Sequence, residues 1–239
     1  MNKKSQKQQV IDAIRQNGGY ATFTKLNQIV DVSQWASKTP FASIRRIVQQ
    51  NNEFFRIQPG MWALTENKEH VLNLLEIKPG NKRSEDIFTH TYYQGIIVEI
   101  GKHKGFQTYI PAQDKNQKAI ANVVLSDLAM TTQIPPFSYP EITQRAKSVD
   151  VIWFNDRNMP DTFFEVEHKT DIKNSLLKFM DLRDFYASFI IVANKVREPQ
   201  YQDVLSRPSF AELRKNNRVR FVPYDKVDGQ YASLAMQVI

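Results

Sequence analysis

Between residues 148 and 169 the chain reads SVDVIWF, a polar turn NDRNMPD, and TFFEVEHK, so Asp150, Glu165, Glu167 and Lys169 lie within otherwise apolar stretches. Charges in a buried strand must be paired or neutralised. Strand side chains alternate between faces, which sends Glu165, Glu167 and Lys169 to one side and Phe164, Val166 and His168 to the other. A hairpin whose turn centres near residues 157 and 158 brings Asp150 opposite Glu165 on the charged face. Three carboxylates, Asp150, Glu165 and Glu167, then converge. Unpaired, they would repel one another and take up protons, so a divalent cation is the natural compensation. Hard oxygen ligands with open positions suit Mg²⁺, with Mn²⁺ as a substitute, over zinc. The structural alternative is that the same acids pair with basic side chains and hold no metal.

Those residues need a scaffold, and the sequence around them supplies one. A helix is expected from Thr91 to about Lys102 and a short strand over Gln107 to Ile110. Residues 112 to 147 then read as a surface excursion around a short helix near 118 to 129, with Pro135, Pro136 and Pro140. After the hairpin come an amphipathic helix from Asp171 to about Phe185 and the apolar strand FIIVA (189 to 193), which reads as covered on both faces. A last helix near 209 to 215 and the strand RVRFVPY complete an α/β sandwich on a mixed sheet.

The amino-terminal region has a different pattern. Val10, Ile11 and Ile14 mark a helix ending at Gly18 and Gly19, a second spans roughly Thr24 to Val30, and Thr39 caps a third that begins at Pro40. FFRIQPGMWAL then reads as two strands joined by a type II turn at Gln58-Pro59-Gly60-Met61. Three helices and a hairpin are the plan of a winged helix-turn-helix domain. On the third helix Phe41, Ile44, Ile47 and Val48 form the apolar stripe, leaving Ser43, Arg45, Arg46, Gln49 and Gln50, with Lys38 just ahead, to face elsewhere. They are either a solvated face or a recognition surface for bases and phosphates in the major groove of double-stranded DNA. Winged helices also serve as protein-binding modules. Trp35 and Trp62 read as core.

The polar stretch 77 to 86 divides the 239 residues into domains at 1–80 and 86–239. Residues 1 to 80 carry 11 Lys/Arg against 6 Asp/Glu, and residues 81 to 239 carry 21 against 19, so the first region is the better electrostatic candidate for nucleic acid. Without cysteine, disulfides, thiolate zinc sites and thiol nucleophiles are excluded. No long apolar run suggests a membrane span or signal peptide, and the cytoplasm is the expected location.

Asp150, the Glu165-Val-Glu167 and Glu167-His-Lys169 patterns, and the helix and apolar strand after them resemble the PD-(D/E)XK nuclease superfamily. WASKTPFASIRRIVQ and FFRIQPGMWAL ahead of FEVEHKTDIKNSLLKF are similar to bacterial proteins that join a restriction-enzyme type winged helix to such a nuclease domain, over about 10 to 75 and 88 to 225. The resemblance implies a restriction-endonuclease-like fold in which an aspartate and an acid-x-lysine or acid-x-glutamate pair bind metal and orient water. Two registers compete, Glu165 with Glu167 and Glu167 with Lys169. The hairpin favours the first, leaving Lys169 to contact a phosphate or pair with an acid. Glu99 matches the family's upstream helix carboxylate, with a solvated surface glutamate as the alternative. Lys102, His103 and Lys104 are either phosphate contacts or an ordinary basic helix end. The implied function is a Mg²⁺-dependent, site-specific DNA endonuclease of restriction type. Double-strand cutting implies a homodimer, and a restriction role implies a companion DNA methyltransferase. The rivals are a DNA-binding regulator with an inactive nuclease-like domain, and a nuclease acting on RNA or modified DNA.

Overall fold

The computed structural model describes residues 4–58, 60–75, 82–120, 123–169, 171–215 and 217–236. The chain divides into two compact units, Met1–Ser84 with Tyr231–Ile239, and Glu85–Gln230. Of the expected linker, 77–81 lie outside the described residues, and 82–86 belong to a helix.

In the first unit the order is α1 (Gln6–Gln16), β1 (Tyr20–Thr22), α2 (Phe23–Ile29), α3 (Pro40–Gln50), β2 (Phe54–Gln58), β3 (Met61–Leu64) and α4 (Lys68–Leu74). Ser5 caps α1 by accepting from the Gln8 amide, and Gly18 and Gly19, at φ 87° and 90°, stop it in a conformation glycine adopts readily. Thr39 makes no side-chain cap, contrary to expectation, so Pro40 with its fixed φ starts α3 alone. The sheet order β1-β3-β2 contains a strand, Tyr20–Thr22, too short for its alternation to be read in sequence. Pro59, in the expected turn, lies outside the described residues; Gly60 beside it has φ 79°. Val10, Ile14, Leu26, Ile44, Val48, Phe54 and Trp62 form the core, and Trp35 joins it, its indole donating to Gln9 at 2.8 Å.

The second unit runs α5 (Lys82–His103), β4 (Gln107–Tyr109), β5 (Lys118–Ile120), β6 (Val123–Val124), α6 (Leu125–Leu128), α7 (Pro140–Ala146), β7 (Val151–Phe154), β8 (Pro160–Glu167), α8 (Ile172–Asp181), β9 (Ser188–Ala193), α9 (Glu198–Ser206), α10 (Ala211–Lys215), β10 (Val219–Pro223) and α11 (Tyr224–Met236). Its five-stranded sheet has the order β10-β9-β8-β7-β4. The β4, β7 and β8 strands pair antiparallel, and β8, β9 and β10 pair parallel, so the sheet is mixed as the sequence suggested. The helix expected near 118 to 129 is instead a small hairpin followed by one helical turn, because the β-branched Ile120, Val123 and Val124 favour extended backbone.

One sheet face carries Ile152, Phe154 and Phe163 against Ile172, Leu176 and Phe179 of α8. On the other, α5 approaches so closely that the Trp153 indole donates to the Ile97 carbonyl at 3.2 Å. A Cβ added at Gly101 would lie 2.4 Å from Trp153 Nε1, so the approach requires glycine there. No helix of the described residues is long and apolar enough to cross a membrane.

Candidate active site

The turn between β7 and β8 is built by Asn155, whose side-chain oxygen accepts from the amides of Arg157 and Met159, and by Asn158 at φ 58°. It sets Val151 against Phe164 and Ile152 against Phe163, and continuing that register places Asp150 opposite Glu165. Asp150 Oδ2 accepts from the Val166 amide at 2.7 Å, which fixes its carboxylate beside the strand that carries both glutamates.

Glu165 and Glu167 are buried, 3% and 4% exposed. The Lys178 ammonium on α8 donates to both oxygens of Glu165 at 2.9 Å and to the Ser148 carbonyl at 2.8 Å. Ser175, one turn earlier, has its hydroxyl 3.0 Å from Glu165 Oε2 and in contact with Glu167 Oε1. A hydroxyl carries one hydrogen, so bonding both glutamates requires a proton on one of them. Burial supplies the condition. It pushes the Glu165 carboxyl up to about 8, with the Asp150 charge adding to the rise and Lys178 opposing it. Burial likewise pushes Asp150 up to about 7 against the pull of Lys178 and the Val166 amide. Glu167 faces Arg197, whose guanidinium is 3.8 Å from Oε2 and donates to the Glu167 carbonyl at 3.0 Å.

Around Asp150 the chain assembles a second set of groups. His90 on α5 bonds the Val166 carbonyl through Nδ1 at 2.9 Å and brings Nε2 within 3.6 Å of Asp150 Oδ1. Gln94, one turn on, donates to Asp114 at 3.0 Å and to the Asp150 carbonyl at 3.3 Å.

The structure thus sets Asp150 across the hairpin from Glu165 and links Glu165 to Glu167 through Ser175, while among the described residues the acids whose ligand atoms come within 4.8 Å of one another and of a histidine are Asp150 and Asp114, with His90, and the other expected residues lie elsewhere. Strand β8 ends at Glu167, so the alternation that would put Lys169 on the acid face stops before it, and Lys169 is exposed. Glu99 bonds Lys102 at 2.9 Å and lies nine residues along α5 from His90, about 13 Å of helix rise. Lys104 packs over the Trp153 ring at 5.5 Å, and His168 stacks on Tyr224 with centroids 6.4 Å apart. On α3, Arg45, Arg46, Gln49 and Gln50 are exposed, as is Lys38 before it, and Ser43 is half-buried.

Lys178, Ser175, His90, Gln94 and Asp114 were not singled out in the sequence. For the first two a signal existed. Ser175 is a polar residue within the buried stripe of Ile172, Leu176 and Phe179, and Lys178 follows it by the three residues that keep both on one side of the helix.

Residues 74–237 match the family described as the type II restriction enzyme NmeDI C-terminal domain. The chain belongs to this family. The type II restriction enzyme NmeDI of Neisseria meningitidis serogroup C is 26% identical over 152 residues, 60% of this chain and 42% of the relative. The chain therefore spans about two fifths of the length of that relative. No solved structure matches it. The matched region contains β7, β8 and α8, and with them every side chain of the candidate site.

Proposed function

We propose that the protein is a site-specific DNA endonuclease of restriction type that hydrolyses phosphodiesters at Asp150, Glu165 and Lys178. The observation that carries this reading is the half-buried Asp150 and buried Glu165 facing each other on one hairpin, with an ammonium against Glu165 at 2.9 Å from both its oxygens. The NmeDI family membership supports the same class of activity. In PD-(D/E)XK terms, Asp150 and Glu165 take the two acidic places and Glu167 stands where lysine is usual. The lysine comes instead from α8.

Carboxylate oxygens are the donors that a hard divalent cation takes. Asp150 and Glu165 both hold protons more tightly than ordinary carboxyls because burial and mutual repulsion penalise their charge, and a cation relieves the same penalty. Asp150, with Glu165 across the hairpin from it, would hold Mg²⁺ or Mn²⁺, which would supply polarisation of the phosphoryl group and an activated water when bound. Lys178 then neutralises charge developing on phosphate oxygens, Ser175 orients Glu165, and Arg197 keeps Glu167 turned along the strand end. We assign DNA reading to the first unit as a winged helix, with the exposed Arg45, Arg46, Gln49 and Gln50 of α3 in the major groove. Cutting both strands takes two copies of the site, so the working form is a homodimer.

A second reading has its own support. Lys178 on Glu165 and Arg197 near Glu167 are the pairings expected of a DNA-binding protein whose nuclease-like domain does no chemistry. Incubation with mixed-sequence plasmid or phage DNA separates the two. Discrete fragments with wild type in Mg²⁺, and none in EDTA or with Glu165→Ala, are the expected result. Intact DNA that is shifted in a gel would leave the binding protein as the better account.

A further inference from the structure

We propose that His90, Asp114 and Asp150 form a binding site for a divalent first-row transition cation, with one imidazole nitrogen and two carboxylates as ligands. It rests on the cation reading above through Asp150, and adds to it a nitrogen ligand and an acid from distant parts of the chain. One ligand atom from each residue lies within 4.8 Å of the other two.

The orientation of His90 carries the argument. A carbonyl only accepts, so the 2.9 Å contact between Nδ1 and the Val166 oxygen makes Nδ1 the donor. The ring's other nitrogen, Nε2, faces Asp150 Oδ1 at 3.6 Å. Ligands about 2.1 Å from a first-row cation at the tetrahedral angle are about 3.4 Å apart, close to the separation seen. The carbonyl behind the ring matches how ligating histidines are held, since their other nitrogen donates to a carboxylate or backbone oxygen that fixes the tautomer.

Gln94 supplies an independent sign. It is fully buried, and its Nε2 donates to Asp114 and to the Asp150 carbonyl, so its amide reaches two of the three ligand residues. Its Oε1 has no hydrogen-bond partner among the described residues. Buried amide oxygens are normally satisfied, and a bound cation or its hydration shell provides the missing partner. The mixed nitrogen and oxygen donors favour Mn²⁺, Co²⁺ or Ni²⁺ over Mg²⁺, which prefers oxygen and keeps its waters.

The probe is Mn²⁺ added to the metal-free full chain, with free Mn²⁺ followed by electron paramagnetic resonance and directly bound nitrogen by electron spin-echo modulation. Wild type is expected to show nitrogen coupling. His90→Gln should abolish it and weaken binding about ten-fold or more, and Asp114→Asn should weaken binding similarly while keeping the nitrogen signal. Thermal melts without metal confirm that both variants fold. Absence of nitrogen coupling in wild type, or His90→Gln affinity within two-fold of wild type, overturns the site. Cleavage in Mg²⁺ is scored separately. Nitrogen coupling without DNA cleavage keeps this site and defeats the nuclease reading, and cleavage without nitrogen coupling does the reverse.

Discussion

Lys178 holds Glu165 symmetrically, with its ammonium 2.9 Å from each carboxylate oxygen, although the two residues come from a helix and a strand thirteen positions apart. The contact orders the acid and, with the Ser148 carbonyl, engages all three hydrogens of the ammonium. Lys178→Met keeps much of the side-chain volume and removes the charge. Its cleavage rate under single-turnover conditions should fall by about 10²–10³, the usual loss when one charge-stabilising donor is removed. A rate within three-fold of wild type would show that Lys178 is structural.

The metal-free protein should lose stability as pH rises above neutrality. Asp150 and Glu165 are raised by burial from 3.8 and 4.5 to about 7 and about 8, so the folded chain keeps protons that the unfolded chain has released. Their stabilising contribution is complete below about pH 4 and is lost as pH climbs through 7 and 8. His90 is lowered by burial, so its contribution runs the other way, being present above its ordinary 6.5 and lost as pH falls. Above pH 6.5 the His90 contribution is constant, and among the described groups the two raised carboxylates set the slope. Melting temperatures in EDTA should therefore decline from pH 6.5 to 8.5, and Asp150→Asn should flatten the decline. An equal slope in that variant would refute the assignment.

Gly101→Ala should destabilise the second unit. Alanine in place of a helical glycine ordinarily stabilises by about 1 kcal/mol. Here the new Cβ would meet Trp153 Nε1 at 2.4 Å and Thr108 Cγ2 at 2.7 Å. Overpacking of this kind costs about 1–3 kcal/mol and outweighs the propensity gain. Urea unfolding followed by tryptophan fluorescence would show it, and a stabilised variant would mean that α5 can move away freely.

Arg46→Ala should reduce the salt dependence of DNA binding by about one charge, a change of roughly 0.9 in the slope of log affinity against log salt. The neighbouring Arg45 stacks its guanidinium over Phe23 at 4.9 Å, so Arg45→Ala should also lower the melting temperature slightly. Fluorescence anisotropy at several salt concentrations measures both. Unchanged slopes would exclude this helix face as the DNA surface.

The charged hairpin was legible because its signals are local. Period two, a turn rich in Asn and Asp, and the apolar run 189–193 place Asp150 against Glu165 and cover them with a parallel neighbour. What decides the chemistry beside them was not local. His90 and Asp114 precede Asp150 by sixty and thirty-six residues, and no spacing rule links positions that far apart. Lys178 and Ser175 look like ordinary polar breaks in a helix stripe until the helix docks on the sheet. Helix α11 was not legible because Gly229 in its interior weakens the helical pattern. The polar face of α3 was legible as an exposed surface and no further.

Because β8 lies between β7 and β9, its burial depends on chain that leaves the ribosome after it. The β7–β8 hairpin joins residues fifteen apart and can close as soon as it emerges, whereas the parallel partner needs the whole of α8 to be made and laid down first. During synthesis Asp150 and Glu165 therefore stand on an open sheet edge, before the burial that raises their carboxyls is in place. Their tight hold on protons is a late product of translation. Chains stalled before Ser188 should be cut readily by protease at the hairpin, and those released past Pro223 should resist.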